Sequence, residues 1–375
     1  MNKWDTSVRY RIASGEDILL LNLGQPGFEC PDFVKESIVE ANKREKNNIY
    51  GRTAGHDGMR EAVCFLQKET NGLDYDGGEV IITNGAKEAL FLSFASIVNP
   101  GDEVIVITPC WPTYIQAVRF FGGKAVTVDA DESFHLRLDA IEAAITDRTR
   151  AIVINNPNNP TGAVYGLTEL SALSRMAMEH DLMVIADEVY GSTLYDDARH
   201  IPLASLPGMR ERTITIDGFS KALAMTGYRL GYATGPKEMI GAMEKIKSNM
   251  NGNTNSFFQH VLEEIITKRY ADMKAFIDYA HGEYAARREY ICGALEGLGV
   301  EHVRPQGAFY VFAKIKPEFG MGSREFAEYL VDKAGVAVAP GSVFGESFDD
   351  RVRIQFSASM EDLEGSVERM RKLMG

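Results

Sequence analysis

The sequence predicts an α/β protein in which a large domain, built on a mostly parallel seven-stranded sheet sandwiched by helices, carries a smaller α+β domain. Three observations lead there. Between residues 79 and 235, short apolar runs rich in β-branched residues alternate with stretches of helical period. Strands spaced by helices of roughly 10–15 residues form βαβ units around a parallel sheet covered on both faces. The chain has 375 residues, more than one core of ordinary size encloses, yet no Pro/Ser-rich linker or break in composition divides it.

Seven strands are expected in order at Glu79–Thr83, Glu103–Ile107, Ala125–Val128, Ala151–Asn155, Met183–Ala186, Thr213–Asp217 and Arg229–Thr234. Ala86–Val98, Thr113–Phe121 and Thr168–His180 supply amphipathic helices between them. Asp272–Leu298 reads as one long helix, because Met273, Phe276, Ile277, Ala280 and Tyr284 recur three or four residues apart along most of it. From about residue 300, strands at Ala308–Phe312 and Arg351–Phe356 flank a helix at Ser323–Ala334, and a last helix starts at Ser359. This segment is too small for a core of its own. It is expected to pack with the N-terminal arm, giving a large domain of residues 40–280 and a small one of residues 1–39 and 281–375.

Composition narrows the function. Hydrophobic residues make up 45% and charged residues 25% of the chain, which is ordinary for a folded protein and excludes disorder as the main state. A net charge of −13 speaks against nucleic acid and anionic membranes as partners. Cys30, Cys64, Cys110 and Cys292 are far apart, with neither disulfide nor metal-site spacing, so reduced thiols and no metal are expected. The early apolar run Ile18–Leu21 is too short for a secretory signal. No run reaches the ~20 residues of a spanning helix. A cytoplasmic location follows as the expectation.

The residues suited to chemistry fall at strand ends, where open α/β sheets bind ligands. Gly85-Ala86-Lys87 opens a helix after the first strand and presents free N–H groups to an anion; no G-x-x-x-x-G-K-[ST] or G-x-G-x-x-G motif is present. Asn156-Pro157-Asn158-Asn159-Pro160-Thr161-Gly162 forms a fixed loop after strand 151–155. Asp187-Glu188 leaves an apolar strand as either a helix cap or a ligand partner, with Tyr190 three residues on. Gly218-Phe219-Ser220-Lys221 places a lysine near buried elements, where it loses its proton more easily. Arg229 offers a planar fork to phosphate.

In this order, these pieces resemble the class I/II aminotransferases, pyridoxal-phosphate enzymes of fold type I, and within them the prokaryotic aspartate/aromatic branch. The resemblance runs from about Leu23 to Leu373. It rests on Asn158-Asn159-Pro160-Thr161-Gly162, Ala186-Asp187-Glu188-Val189-Tyr190, Ser220-Lys221 with Met225-Thr226-Gly227-Tyr228-Arg229, and Val352-Arg353-Ile354.

The resemblance implies a role for each residue. Lys221 matches the Schiff-base lysine and proton shuttle, and Asp187 the partner of the pyridine nitrogen. Asn159 and Tyr190 match the pair on the phenolic oxygen, and Trp111 the ring that stacks on the cofactor. Gly85, Ala86, Lys87, Ser220 and Arg229 fall at the phosphate, joined by Tyr50 from the other subunit of a homodimer. Arg353 and Gly24 take the substrate carboxylate, with Asn159 and Trp111 beside them. The implied reaction moves an amino group between an amino acid (aspartate, aromatic or alanine-like) and a 2-oxo acid through pyridoxamine phosphate. The same lysine and acid would also serve a β- or γ-eliminating lyase; a non-catalytic sensor is a remote alternative, disfavoured by the acidic charge. Three departures stand out. Gly218 replaces a serine that contacts phosphate in many relatives, residues 249–256 are asparagine-rich, and the arm before Gly24 is short.

Overall fold

The computed structural model describes residues 3–43, 47 and 49–374. Its centre is a seven-stranded sheet of β2 (Val80–Thr83), β3 (Glu103–Thr108), β4 (Lys124–Asp129), β5 (Thr149–Asn155), β6 (Met183–Asp187), β7 (Thr213–Gly218) and β8 (Gly231–Thr234), after a short β1 (Leu19–Leu20). The spatial order is β2-β8-β7-β6-β5-β3-β4, and every pairing is parallel except the two made by β8. All seven expected strands are present, within two residues at each end.

Strand alternation explains why the central strands read as unbroken apolar runs. Val104, Val106, Val153 and Ile185 face one way, into a core closed by α4 (Ala86–Ile97), α5 (Thr113–Phe120) and α9 (Lys237–Met250). Ile105, Ile107, Ile152, Ile154 and Val184 face the other way, against α6 (Leu138–Ala143) and α7 (Leu167–Glu179). Near the β2–β8 edge lie α2 (Asp32–Ala41), α3 (Asp57–Asn71) and α10 (Ser256–Lys268). The one-turn α8 (Phe219–Ala222) follows β7 directly.

A second core joins the two ends of the chain. It holds α1 (Lys3–Ala13) and β1 together with α11 (Tyr270–Gly297), β9 (Tyr310–Lys314), α12 (Ser323–Ala334), β10 (Val336–Ala337), β11 (Ala339–Pro340), β12 (Arg351–Gln355) and α13 (Met360–Met374). β1 pairs in parallel with β10, and β12 lies between β11 and β9. The helix α1 escaped the sequence reading because its apolar stripe is thin: among its described side chains only Trp4 and Val8, four apart, are buried. The Trp4 indole N–H donates to Val338 O at 2.8 Å and pins this helix.

Two boundaries needed correction. Arg229 does not belong to a strand; it sits in the left-handed region at φ 56°, and β8 begins two residues later. Ala308 has the same conformation, so β9 starts at Tyr310. The asparagine-rich stretch also has local structural work to do. The Asn255 side chain caps α10 by accepting from Phe258 N at 3.2 Å, the Thr254 hydroxyl donates to Ile82 O at 3.0 Å, and Asn251 joins the buried Lys247–Glu88 ion pair. All four cysteines are free, with Cys110 and Cys292 buried. The Cys110 amide donates to Phe344 O at 2.9 Å, tying the end of β3 to the second core.

Candidate active site

A cavity of about 410 Å³ opens at the C-terminal ends of β5, β6 and β7, between the central sheet and the second core. Its floor is set by backbone proximity. A Cβ on Gly231 would lie 2.6 Å from Ala86 N, and one on Gly218 would lie 2.9 Å from Gly231 Cα. Only glycines let β7, β8 and the start of α4 approach this closely. The serine that many relatives carry at position 218 therefore has no room here.

Lys221 reaches the cavity from α8, and its ammonium donates to Gly24 O. Burial lowers its pKa to about 8; Arg353 and Arg229 push in the same direction, and Asp187 opposes them. Asp187, at the end of β6, is raised by burial to about 6, although it accepts from the Tyr114 hydroxyl at 2.6 Å. The Tyr190 hydroxyl pairs with that of Tyr310 at 2.7 Å. The Asn159 backbone N–H donates to Asn155 Oδ1 at 2.8 Å, which fixes the Asn-Pro loop, and Asn159 Oδ1 accepts from Arg353 Nη1 at 2.8 Å.

Arg353 is buried on β12. Its Nη2 donates to Asn22 O at 2.7 Å, its Cζ lies 4.4 Å from the Tyr310 ring centroid, and its Nε has no partner among the described residues. A buried guanidinium with an unused N–H lacks an anion, and a carboxylate is the matching planar acceptor. At the far side, Ala86 and Lys87 line the cavity at the first turn of α4, where unpaired N–H groups point outward. Arg229 packs over Gly85, where a Cβ would come within 2.6 Å of Nη2. That bare backbone beside a guanidinium and a helix start is shaped for a phosphate. The Lys87 ammonium lies 4.9 Å from the Trp111 ring centroid.

Lys221, Asp187, Tyr190, Asn159, Trp111, Ala86, Lys87, Ser220, Arg229, Arg353 and Gly24 thus gather around one space, with Gly85 under Arg229. Tyr50 does not join them: it is 96% exposed and outside this cavity. Sequence reasoning missed Tyr114 as the hydrogen-bond partner of Asp187, and Asn22 and Asp5 as part of the wall. Tyr114 lies three residues after Trp111 on the first turn of α5, a spacing that could have suggested a shared direction. Nothing in the sequence signalled Asp5.

A half-buried amine of lowered pKa, a buried acid, a helix-start anion cradle and an unsatisfied arginine define an enzyme that handles an amino acid with pyridoxal phosphate. Comparison with known proteins gives the family. The model for aminotransferase class I and II matches residues 16–370. An aspartate/prephenate aminotransferase of Thermus thermophilus is 40% identical over 96% of this chain and 92% of its own. An aspartate aminotransferase of Pyrococcus abyssi is 37% identical over 97% of this chain and 94% of its own. Among solved structures, the Thermus thermophilus aspartate aminotransferase with maleate superposes with a TM-score of 0.93, at 37% identity, over 100% of this chain and 97% of that one. The chain belongs to the class I and II aminotransferases and uses pyridoxal phosphate. The lyase reading is not favoured. No described helix is long and apolar enough to cross a membrane.

Proposed function

We propose that Lys221 would hold the cofactor covalently and, once the substrate amine is bound, would move a proton at the substrate Cα. Bound here, pyridoxal phosphate supplies an electron-withdrawing ring that stabilises negative charge at that carbon. Asp187 pairs with the ring nitrogen, and Asn159 and Tyr190 hold the phenolic oxygen. Trp111 stacks on the ring. The N–H groups of Gly85, Ala86 and Lys87 take the phosphate with Ser220, Arg229 and Tyr50 of the partner subunit. Arg353 clamps the substrate carboxylate, helped by Gly24, Asn159 and Trp111. The observation that carries this reading is the facing of Lys221, near pKa 8, by both Asp187 and Arg353 in one cavity. An amine at that value is partly neutral near physiological pH, as a nucleophile and base must be.

The site serves an alternating reaction between an L-amino acid and a 2-oxo acid in a cytoplasmic homodimer of amino-acid metabolism. Relatives named for aspartate, prephenate and aromatic amino acids support that substrate range. Lys87, a cavity cation with no carboxylate partner among the described residues, supports an oxo acid bearing a second carboxylate. We also assign residues 40–280 to a large domain and residues 1–39 with 281–375 to a small one; the β1–β10 pairing supports the joining of the two chain ends, while α2 packs against α10 on the large-domain side. A half-reaction tests the function. An amino acid should bleach the cofactor band stoichiometrically, and a 2-oxo acid should restore it. Ammonia released without any acceptor would sink the proposal.

A further inference from the structure

The cavity wall beside Arg353 holds a polar pair that no step above uses. Asn22 is 3% exposed, and its backbone O accepts from Arg353 Nη2. Its side-chain Nδ2 donates to Asp5 Oδ1 at 2.8 Å. That bond fixes the amide orientation, because the flipped form would set the Asn22 oxygen against a carboxylate. Asn22 Oδ1 is consequently left as a buried acceptor with no partner among the described residues. Such an atom is costly unless something donates to it. Asp5 has no cation paired with it among the described residues, and both residues line the cavity. Their positions are set from outside the site: Trp4 anchors α1 through Val338, and Asn22 lies between β1 and the Gly24 turn.

We propose that Asp5 and Asn22 form a subsite for the far end of the amino donor, selecting a side chain that ends in a hydrogen-bond-donating nitrogen, as a carboxamide or an ammonium. The pair offers the Asn22 Oδ1 and the Asp5 carboxylate as acceptors, and one of the two Asn22 N–H donors is already spent on Asp5. A terminal carboxylate meets repulsion there, and a terminal methyl leaves both acceptors unpaired. Sites built to bond a donor reject the isostere lacking it much more strongly than an apolar pocket rejects an added group. Lys87 stands elsewhere in the cavity and is not ion-paired to Asp5, so an oxo acid with a second carboxylate still has its own cation. This subsite rests on the aminotransferase reading and names its donor class.

The test uses holoenzyme half-reactions with L-glutamine, L-lysine, L-norleucine and L-glutamate, following cofactor absorbance and identifying the oxo acid formed. Equilibrium binding of the same four to the cofactor-free protein is measured by calorimetry as a second readout. Glutamine or lysine should exceed norleucine by at least about tenfold in kcat/KM and in affinity; which of the two leads tells amide from ammonium. Asp5→Asn should reduce that preference about tenfold or more, and Asp5→Glu should restore part of it. Norleucine equal to both nitrogen donors, or a preference indifferent to Asp5→Asn, overturns the subsite while leaving transamination intact. Failure of all four, and of aspartate, to bleach the cofactor would instead overturn the aminotransferase reading.

Discussion

Tyr114 is the residue whose effect is easiest to isolate. Its hydroxyl reaches Asp187 at 2.6 Å inside a fully buried setting, and it lowers the carboxyl's pKa against the larger effect of burial. A hydrogen bond to a charged group contributes about 1.5–3 kcal/mol. Tyr114→Phe should raise the Asp187 pKa further and weaken its hold on a protonated ring nitrogen. Turnover should drop roughly 10- to 100-fold, with KM for the amino donor little changed. A parallel fall in affinity for the amino acid, with turnover intact, would mean that Tyr114 serves the substrate instead.

Elements bring these residues together through close backbone approach. Gly218, Gly231 and Gly85 form successive layers in which β7, β8 and the start of α4 touch without side chains. Gly218→Ser should overpack this contact and cost about 1–3 kcal/mol, read as a lowered denaturant midpoint and weaker retention of the cofactor during dialysis. Unchanged stability would show that β8 yields easily. The sheet itself was legible because both faces of β3, β5 and β6 are buried, so their apolar runs are continuous. The strand-end residues were legible because the sheet's topology sends every parallel strand to the same edge. What stayed hidden depends on contacts distant in sequence. Asp5 faces the cavity only because Trp4 docks on Val338, and Arg229 leaves its expected strand only because it must bend back over Gly85. No local pattern encodes either.

At the scale of the whole molecule, buried titratable groups set how stability responds to pH. Burial holds Asp187 at about 6 and Asp217 at about 7, both above the ordinary 3.8. Across that interval the folded chain binds more protons than the unfolded one, so stability should fall as pH rises from about 4 to 7. Lys221, at about 8 instead of 10.5, reverses the sign: the unfolded chain binds more protons between those values, and stability should recover as pH rises through them. Scanning calorimetry of the cofactor-free protein should find its lowest midpoint between about pH 7 and 8. Asp217→Asn should flatten the fall, most visibly between about 6 and 7. A midpoint that climbs steadily from pH 4 to 7 would contradict this balance.

The bond from the Cys110 amide to Phe344 O also makes Cys110 a natural reporter. Its thiol is buried in the core that the central sheet shares with α4 and α5, and burial pushes its pKa up to about 12. It can be alkylated only when that core opens locally. Cys30 and Cys64 are partly exposed and provide an internal clock for the reagent. Quantitative mass spectrometry of iodoacetamide-treated protein should show Cys110 labelled far more slowly than either. A bound dicarboxylate that draws Arg353 and the central sheet together should slow Cys110 further, while Cys30 and Cys64 keep their pace. Opening of the core behind the cavity wall, next to Trp111, would then be timed by a single native sulfur atom.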